Sequence, residues 1–105
     1  MDKIRISKKD ISLNDIVYLE SQGNYTMVYL NNNRKELSSR TLQIFEERLK
    51  DYNFYRLSRS CIVNTSAIAW FGSNCKKMSV LLKNGALLPV SRRRRKKFST
   101  SIKTI

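Results

Sequence analysis

The sequence contains no histidine, and no aspartate or glutamate follows Asp51. The lack of histidine removes the commonest general base and the commonest transition-metal ligand. The eight acids of the first half show no paired pattern, whereas a magnesium-dependent nuclease needs clustered carboxylates. We therefore expect no catalytic residues, no bound metal and no cofactor.

Cysteines and long apolar runs are also scarce. Cys61 and Cys75 are too few for a disulfide framework and lack the CxxC spacing of a zinc site, so we interpret them as reduced thiols. No apolar stretch approaches the length of a membrane span, and the first residues do not resemble a signal peptide. A chain of 105 residues with 41% hydrophobic residues is expected to form one cytoplasmic domain, without a membrane partner.

Positive charge is concentrated in the second half of the chain. Nine basic residues accompany the eight acids up to Asp51, and twelve follow with no acid among them, which gives the net charge of +13. Six of these twelve are consecutive, at positions 92–97, and four of the six are arginine. Such a run can be a solvated surface, a contact for anionic lipid or a contact for nucleic acid. The absence of interleaved apolar residues disfavours lipid, and the preference for arginine favours nucleic acid.

Hydrophobic periodicity predicts a mainly β fold of short antiparallel strands in small sheets, with one helix over about 41–50. In that helix Leu42, Phe45 and Leu49 share one face, and Ser39 or Thr41 can cap its start. Ser91 could cap a second, short helix through Lys97. The predicted strands are 3–7, 16–19, 25–30, 34–38, 54–60, 61–63, 68–71, 78–82 and 87–90.

Several turns are marked by glycine and asparagine. We predict turns at 22–24, at 31–33 and at 72–74, and a type I′ hairpin turn at Asn84-Gly85. Pro89 cannot donate a ladder hydrogen bond, which predicts an edge strand. Considered by itself, Asn24 is first interpreted as a turn residue. Arg56 and Arg59 lie three positions apart, on opposite faces of a regular strand, so a surface role is as good an interpretation of Arg59 as ligand contact.

Three blocks together give the chain a resemblance to a known family. They are residues 15–25 (DIVYLESQGNY), residues 54–64 (FYRLSRSCIVN), and residues 82–85 with 88–93 (LKNG and LPVSRR). In order and spacing they resemble the LytTR DNA-binding domain, over about residues 4–98. The resemblance implies an elongated, mainly β domain whose loops, in place of a recognition helix, enter successive major grooves of double-stranded DNA.

The resemblance also implies which residues contact DNA. By position, Asn24, Arg59 and Arg92 would read bases, because an asparagine amide matches adenine and an arginine fork matches guanine. The residues expected to contact phosphates are Gln22, Tyr25, Arg56, Ser60, Arg93, Arg94, Arg95 and Lys96.

Members of this family usually form the output domain of a response regulator in a two-component system. We interpret residues 1–105 as a single such domain without a receiver domain. It would be either an excised domain or a stand-alone regulator controlled by its abundance, by a partner or by another signalling chain. It would bind direct repeats as a homodimer or a pair. The alternative is an RNA-binding or non-specific nucleic-acid-binding basic β module.

Overall fold

The computed structural model describes residues 2–74 and 77–94, except for the side chains of residues 73, 74 and 77. The molecule measures 42 × 27 × 25 Å, and its β-rich, elongated form confirms the predicted fold class. In the described part the strands and the main helix are β1 (Lys3–Ile6), β2 (Lys9–Ser12), β3 (Ile16–Gln22), β4 (Tyr25–Leu30), β5 (Lys35–Ser38), α1 (Leu42–Leu49), β6 (Phe54–Ser58), β7 (Cys61–Asn64), β8 (Ile68–Asn74), β9 (Lys77–Leu82) and β10 (Leu87–Val90). Short 3-10 helices lie at Leu13–Asp15, Asn31–Asn33 and Thr65–Ala67.

A five-stranded antiparallel sheet in the order β5-β4-β3-β7-β6 forms the centre of the domain. The β1–β2 hairpin and helix α1 cover one face of this sheet, and a three-stranded sheet in the order β10-β9-β8 covers the other. Strand β7, an inner strand between β3 and β6, is buried along its whole length. Ile62 belongs to the core on the helix side, while Cys61 and Val63 belong to the core on the opposite side. Burial on both faces explains why this segment is a continuous apolar run.

Helix α1 confirms the predicted periodicity, since Leu42, Phe45 and Leu49 are its buried residues. Thr41 occupies the N-cap position, but its side chain makes no capping hydrogen bond. The predicted C-terminal helix begins at Arg92, and residues 92–94 are helical. Its predicted continuation through Lys97 lies outside the described residues.

The sequence analysis missed strand β2, which pairs with β1 in a hairpin. The connecting residues Ser7 and Lys8 both have positive φ, 50° and 69°. Such a turn normally contains asparagine or glycine, so residue type gave no signal here. Contacts with strand β5 support the hairpin instead: the Ser7 hydroxyl donates to the Leu37 carbonyl, and Lys9 Nζ lies 3.0 Å from Glu36 Oε2.

Two turn predictions need correction. At Asn84-Gly85 only Gly85 has positive φ, 95°, and its N–H donates to the Leu82 carbonyl at 2.9 Å. This is the geometry of a three-residue loop that ends in a left-handed glycine, and a type I′ turn is therefore wrong. The predicted turn at residues 72–74 is also wrong, because Gly72 lies inside β8 opposite Ser79. Pro89 does lie on an edge strand, β10, as predicted.

The presence of glycine at position 72 is explained by the side chain of Trp70, which covers this position. An added Cβ there would lie 2.5 Å from Cζ2 of the Trp70 indole. We predict that Gly72→Ala displaces this indole, which is 56% exposed, and so shifts the fluorescence of the only tryptophan in the chain. The control is Gly85→Ala, at a position where an added Cβ meets no other atom but the backbone has positive φ. This substitution should lower the free energy of unfolding by ~1 kcal/mol without a change in the fluorescence spectrum. Unchanged emission in Gly72→Ala would contradict this packing.

Candidate nucleic-acid interface

Two turns of the five-stranded sheet lie side by side at the same end. The β3–β4 turn contains Gly23 and Asn24, with Gly23 at φ 67°, and the β6–β7 turn contains Arg59 and Ser60. The backbone N–H of Ser21 donates to the Ser60 carbonyl at 2.8 Å, which joins the two turns. The antiparallel pairing of β3 with both β4 and β7 requires this arrangement.

The beginning of the C-terminal helix adjoins the same end. The backbone N–H of Ser91, just after β10, donates to the Leu57 carbonyl at 2.9 Å. Leu57 lies at an irregularity in the pairing of β6 with β7, between Arg56 and Ser58. A bulge at this point frees a backbone carbonyl for a partner outside the ladder. The segment that begins with Arg92 is thereby fixed beside the β6–β7 turn.

The structure thus brings together the three segments that contain the predicted base-reading residues. Asn24, Arg59 and Arg92 are all exposed. Arg59, Arg92 and Arg93 form no ion pair with any residue that the structure describes, so their charges are not compensated by a nearby carboxylate. The roles of these residues in reading bases stay predictions.

Seven of the eight predicted phosphate-contacting residues fall into three groups. Gln22, Tyr25, Ser60 and Arg93 are exposed at or beside the turns, and the Gln22 amide donates to Glu20 Oε1 at 3.0 Å. Arg94 is partly buried, with Nη1 4.0 Å from Glu46 Oε2. Arg95 and Lys96 lie outside the described residues.

Arg56 differs from the rest of that set, because its guanidinium is directed into the protein. Its side chain is 13% exposed and donates to Glu46 Oε1, to the Ser58 carbonyl and to the Arg59 carbonyl. Its phosphate contact remains a prediction, although these partners already occupy the guanidinium. Sequence reasoning gave Glu46 no role, since helix periodicity shows only that it lies off the buried face of α1.

Two tyrosines of the central sheet pack against each other. The rings of Tyr18 and Tyr29 are stacked, with centroids 4.3 Å apart, and the Tyr29 hydroxyl donates to Glu20 Oε1 at 3.3 Å. Burial, with Tyr29 and Glu20 nearby, raises the pKa of Tyr18 to about 12. Paired in this way, the two rings do not form the open aromatic platform on which single-stranded RNA bases stack.

Within residues 2–74 and 77–94, no cluster of three or more His, Cys, Asp or Glu side chains could hold a metal ion. In the same ranges, the structure has no helix with the length and apolar character needed to span a bilayer.

Comparison with known proteins gives a consistent match. The family model described as the LytTr DNA-binding domain matches residues 7–103. The sensory transduction protein LytT of Bacillus subtilis is 31% identical over 86 residues, which cover 78% of this chain and 34% of that protein. The chain therefore spans about a third of the length of this relative. The fold is similar to that of a LytTr DNA-binding domain of a response regulator from Bacillus cereus, with a TM-score of 0.80, 24% identity, and coverage of 94% of this chain and 93% of that one.

The buried thiol of Cys61, at this end of the sheet, should make the protein less stable at alkaline pH. Burial, reinforced by the Glu20 carboxylate and partly offset by Arg56, raises the pKa of Cys61 from 9.0 to about 12. Above pH 9 the unfolded thiol ionises while the folded one does not, so the stabilisation present below pH 9 is lost progressively towards pH 12. We expect the free energy of unfolding in urea to fall by on the order of 1 kcal/mol per pH unit between pH 9 and 11.

Cys61→Ala should flatten that pH dependence, leaving the smaller part contributed by groups such as Tyr18 and Tyr29, whose pKa values burial raises in the same direction. Equal slopes for the two proteins would show that the Cys61 thiol is not responsible.

Proposed function

The chain belongs to the LytTR family of DNA-binding domains, and from this premise we propose that it binds double-stranded DNA at specific sites to regulate transcription in bacteria. The observation that supports the proposal most is the convergence of two turns and the beginning of the C-terminal helix, each with an exposed asparagine or arginine, at one end of the five-stranded sheet. No acidic residue interrupts the basic run beside them. A surface of one sign concentrates and steers a polyanion.

In this proposal the turns enter successive major grooves. Arg59 and Arg92 each direct two parallel donors at the O6 and N7 atoms of a guanine, and Asn24 pairs with an adenine. The phosphate contacts come from Gln22, Tyr25, Ser60, Arg93 and Arg94, with Arg95 and Lys96 following along the basic run, and they fix the register of the domain on the duplex. The family resemblance assigns Arg56 by position to the same set, although its guanidinium already binds Glu46 and two backbone carbonyls.

The domain would cover one half-site, and tight occupancy would need two copies about one helical turn apart on a direct repeat. We also propose that residues 1–105 form one domain that works with a receiver domain or another signalling chain, since the Bacillus subtilis relative is about three times as long as the part matched here.

Selection of bound duplexes from a random pool tests base reading. Arg59→Ala and Arg92→Ala should each lose preference at one position of the selected site, by ~1–3 kcal/mol of discrimination. Arg93→Ala removes the same charge from the exposed neighbour of Arg92 and should weaken all duplexes alike. If all three variants lost affinity uniformly, the proposed base readers would be wrong.

Salt dependence tests the phosphate contacts. With about six phosphates neutralised, log K should fall with log salt at a slope of about −5, and Arg93→Ala should reduce the slope by about 1. A competition experiment tests whether the protein prefers RNA: labelled duplex DNA is displaced with single-stranded and double-stranded RNA of the same length. A flat salt response, or preferential displacement by RNA, would rule out the proposed mode of duplex binding.

A further inference from the structure

The Arg56 guanidinium uses all three of its nitrogens within the protein. Nε donates to the Ser58 carbonyl at 2.7 Å, Nη1 to Glu46 Oε1 at 2.7 Å, and Nη2 to the Arg59 carbonyl at 2.8 Å. With a side chain 13% exposed, this cation is largely withdrawn from solvent. A guanidinium in this state has few donors left for a phosphate.

The two carbonyls that Arg56 binds are those on either side of the Arg59 Cα atom. The Ser58 carbonyl belongs to the peptide group that precedes Arg59, and the Arg59 carbonyl belongs to the one that follows. Fixing both peptide groups to one rigid fork restricts the φ and ψ of Arg59, and therefore the direction in which its side chain leaves the turn. The adjoining Ser60 is held as well, since its N–H donates to Ser58 Oγ at 3.1 Å.

Glu46, on helix α1, holds the Arg56 guanidinium in place. Its carboxylate compensates the charge of Arg56 and is the acidic partner in both ion pairs that the described residues form at this end of the sheet. The second pair, with Arg94 at 4.0 Å, connects the same carboxylate to the beginning of the C-terminal helix. A charge-assisted hydrogen bond of 2.7 Å is short and directional, as expected of a group that orients its partner.

We infer that Arg56, oriented by Glu46, is a positioning residue that sets the direction of Arg59, and that it is not itself a phosphate contact. The inference rests on the proposed function for the ligand that Arg59 meets, but the positioning contact exists without DNA and can be tested without it.

Arg56→Lys keeps the positive charge but replaces a three-way fork with a single ammonium group. We expect the base preference at the position read by Arg59 to fall about fivefold or more, with the salt slope unchanged. Arg48→Lys, the same change at an exposed residue of α1, should alter neither quantity. If Arg56 contacts phosphate instead, Arg56→Lys will keep the base preference, and Arg56→Ala will reduce the salt slope by about 1 at all sequences alike. That result would overturn the inference.

Glu46→Gln tests the other half of the contact, and Glu47→Gln is its matched control. Both changes add one unit of charge on neighbouring residues of α1, but Glu47 pairs with Lys50 and not with Arg56. A general electrostatic gain in affinity should appear in both variants. Only Glu46→Gln should lose base preference at the position read by Arg59; equal behaviour of the two variants would overturn the role assigned to Glu46.

Amide hydrogen exchange of the DNA-free protein separates this inference from the proposed function. The Ser21 N–H, which donates to the Ser60 carbonyl, and the Ser60 N–H both report on the β6–β7 turn. Faster exchange at these two amides in Arg56→Lys and Glu46→Gln, but not in Glu47→Gln, would support positioning even if the protein selected no duplex. Unchanged exchange in both test variants would overturn positioning even if duplex selection succeeded.

Discussion

The fold depends on a sheet that is buried on both faces. Strand β7 supplies Ile62 to the core beneath α1 and the β1–β2 hairpin, and Cys61 and Val63 to the core beneath the three-stranded sheet. Displacing this strand would open both cores at once. Because β7 is fixed from both sides, the turn that precedes it is fixed as well, and Arg59 is presented from a rigid base rather than from a mobile loop.

The basic end of the domain also contains a carboxylate. Glu46 lies against Arg56 and near Arg94, whereas Arg59, Arg92 and Arg93 have no acidic partner among the residues that the structure describes. The arginines at this end are therefore of two kinds, those engaged with the protein and those directed outward. A compensated arginine contributes geometry, and an uncompensated one contributes attraction for a polyanion.

Individual residues show which structural features could be predicted from the sequence and which could not. Leu42, Phe45 and Leu49 predicted the buried face of α1, because helical periodicity depends only on residues close in sequence. The turn at Ser7-Lys8 gave no such signal, since contacts with strand β5, about thirty residues away in sequence, hold it in place. Gly72 looked like a turn residue and is a strand residue covered by Trp70. Residue type and spacing also do not show which way a side chain points, so the contact of Arg56 with Glu46 could not be predicted.

The sequence alone determined the mainly β fold class, the concentration of positive charge in the second half and the family to which the chain belongs, because each follows from residue type, spacing and order. Only the tertiary structure decided that residues as distant as Ser21, Ser60 and Ser91 lie around one end of a sheet, and that Arg56 is directed towards Glu46. The physical reason is that side-chain direction and long-range proximity are set by packing of the two cores, which no local pattern contains.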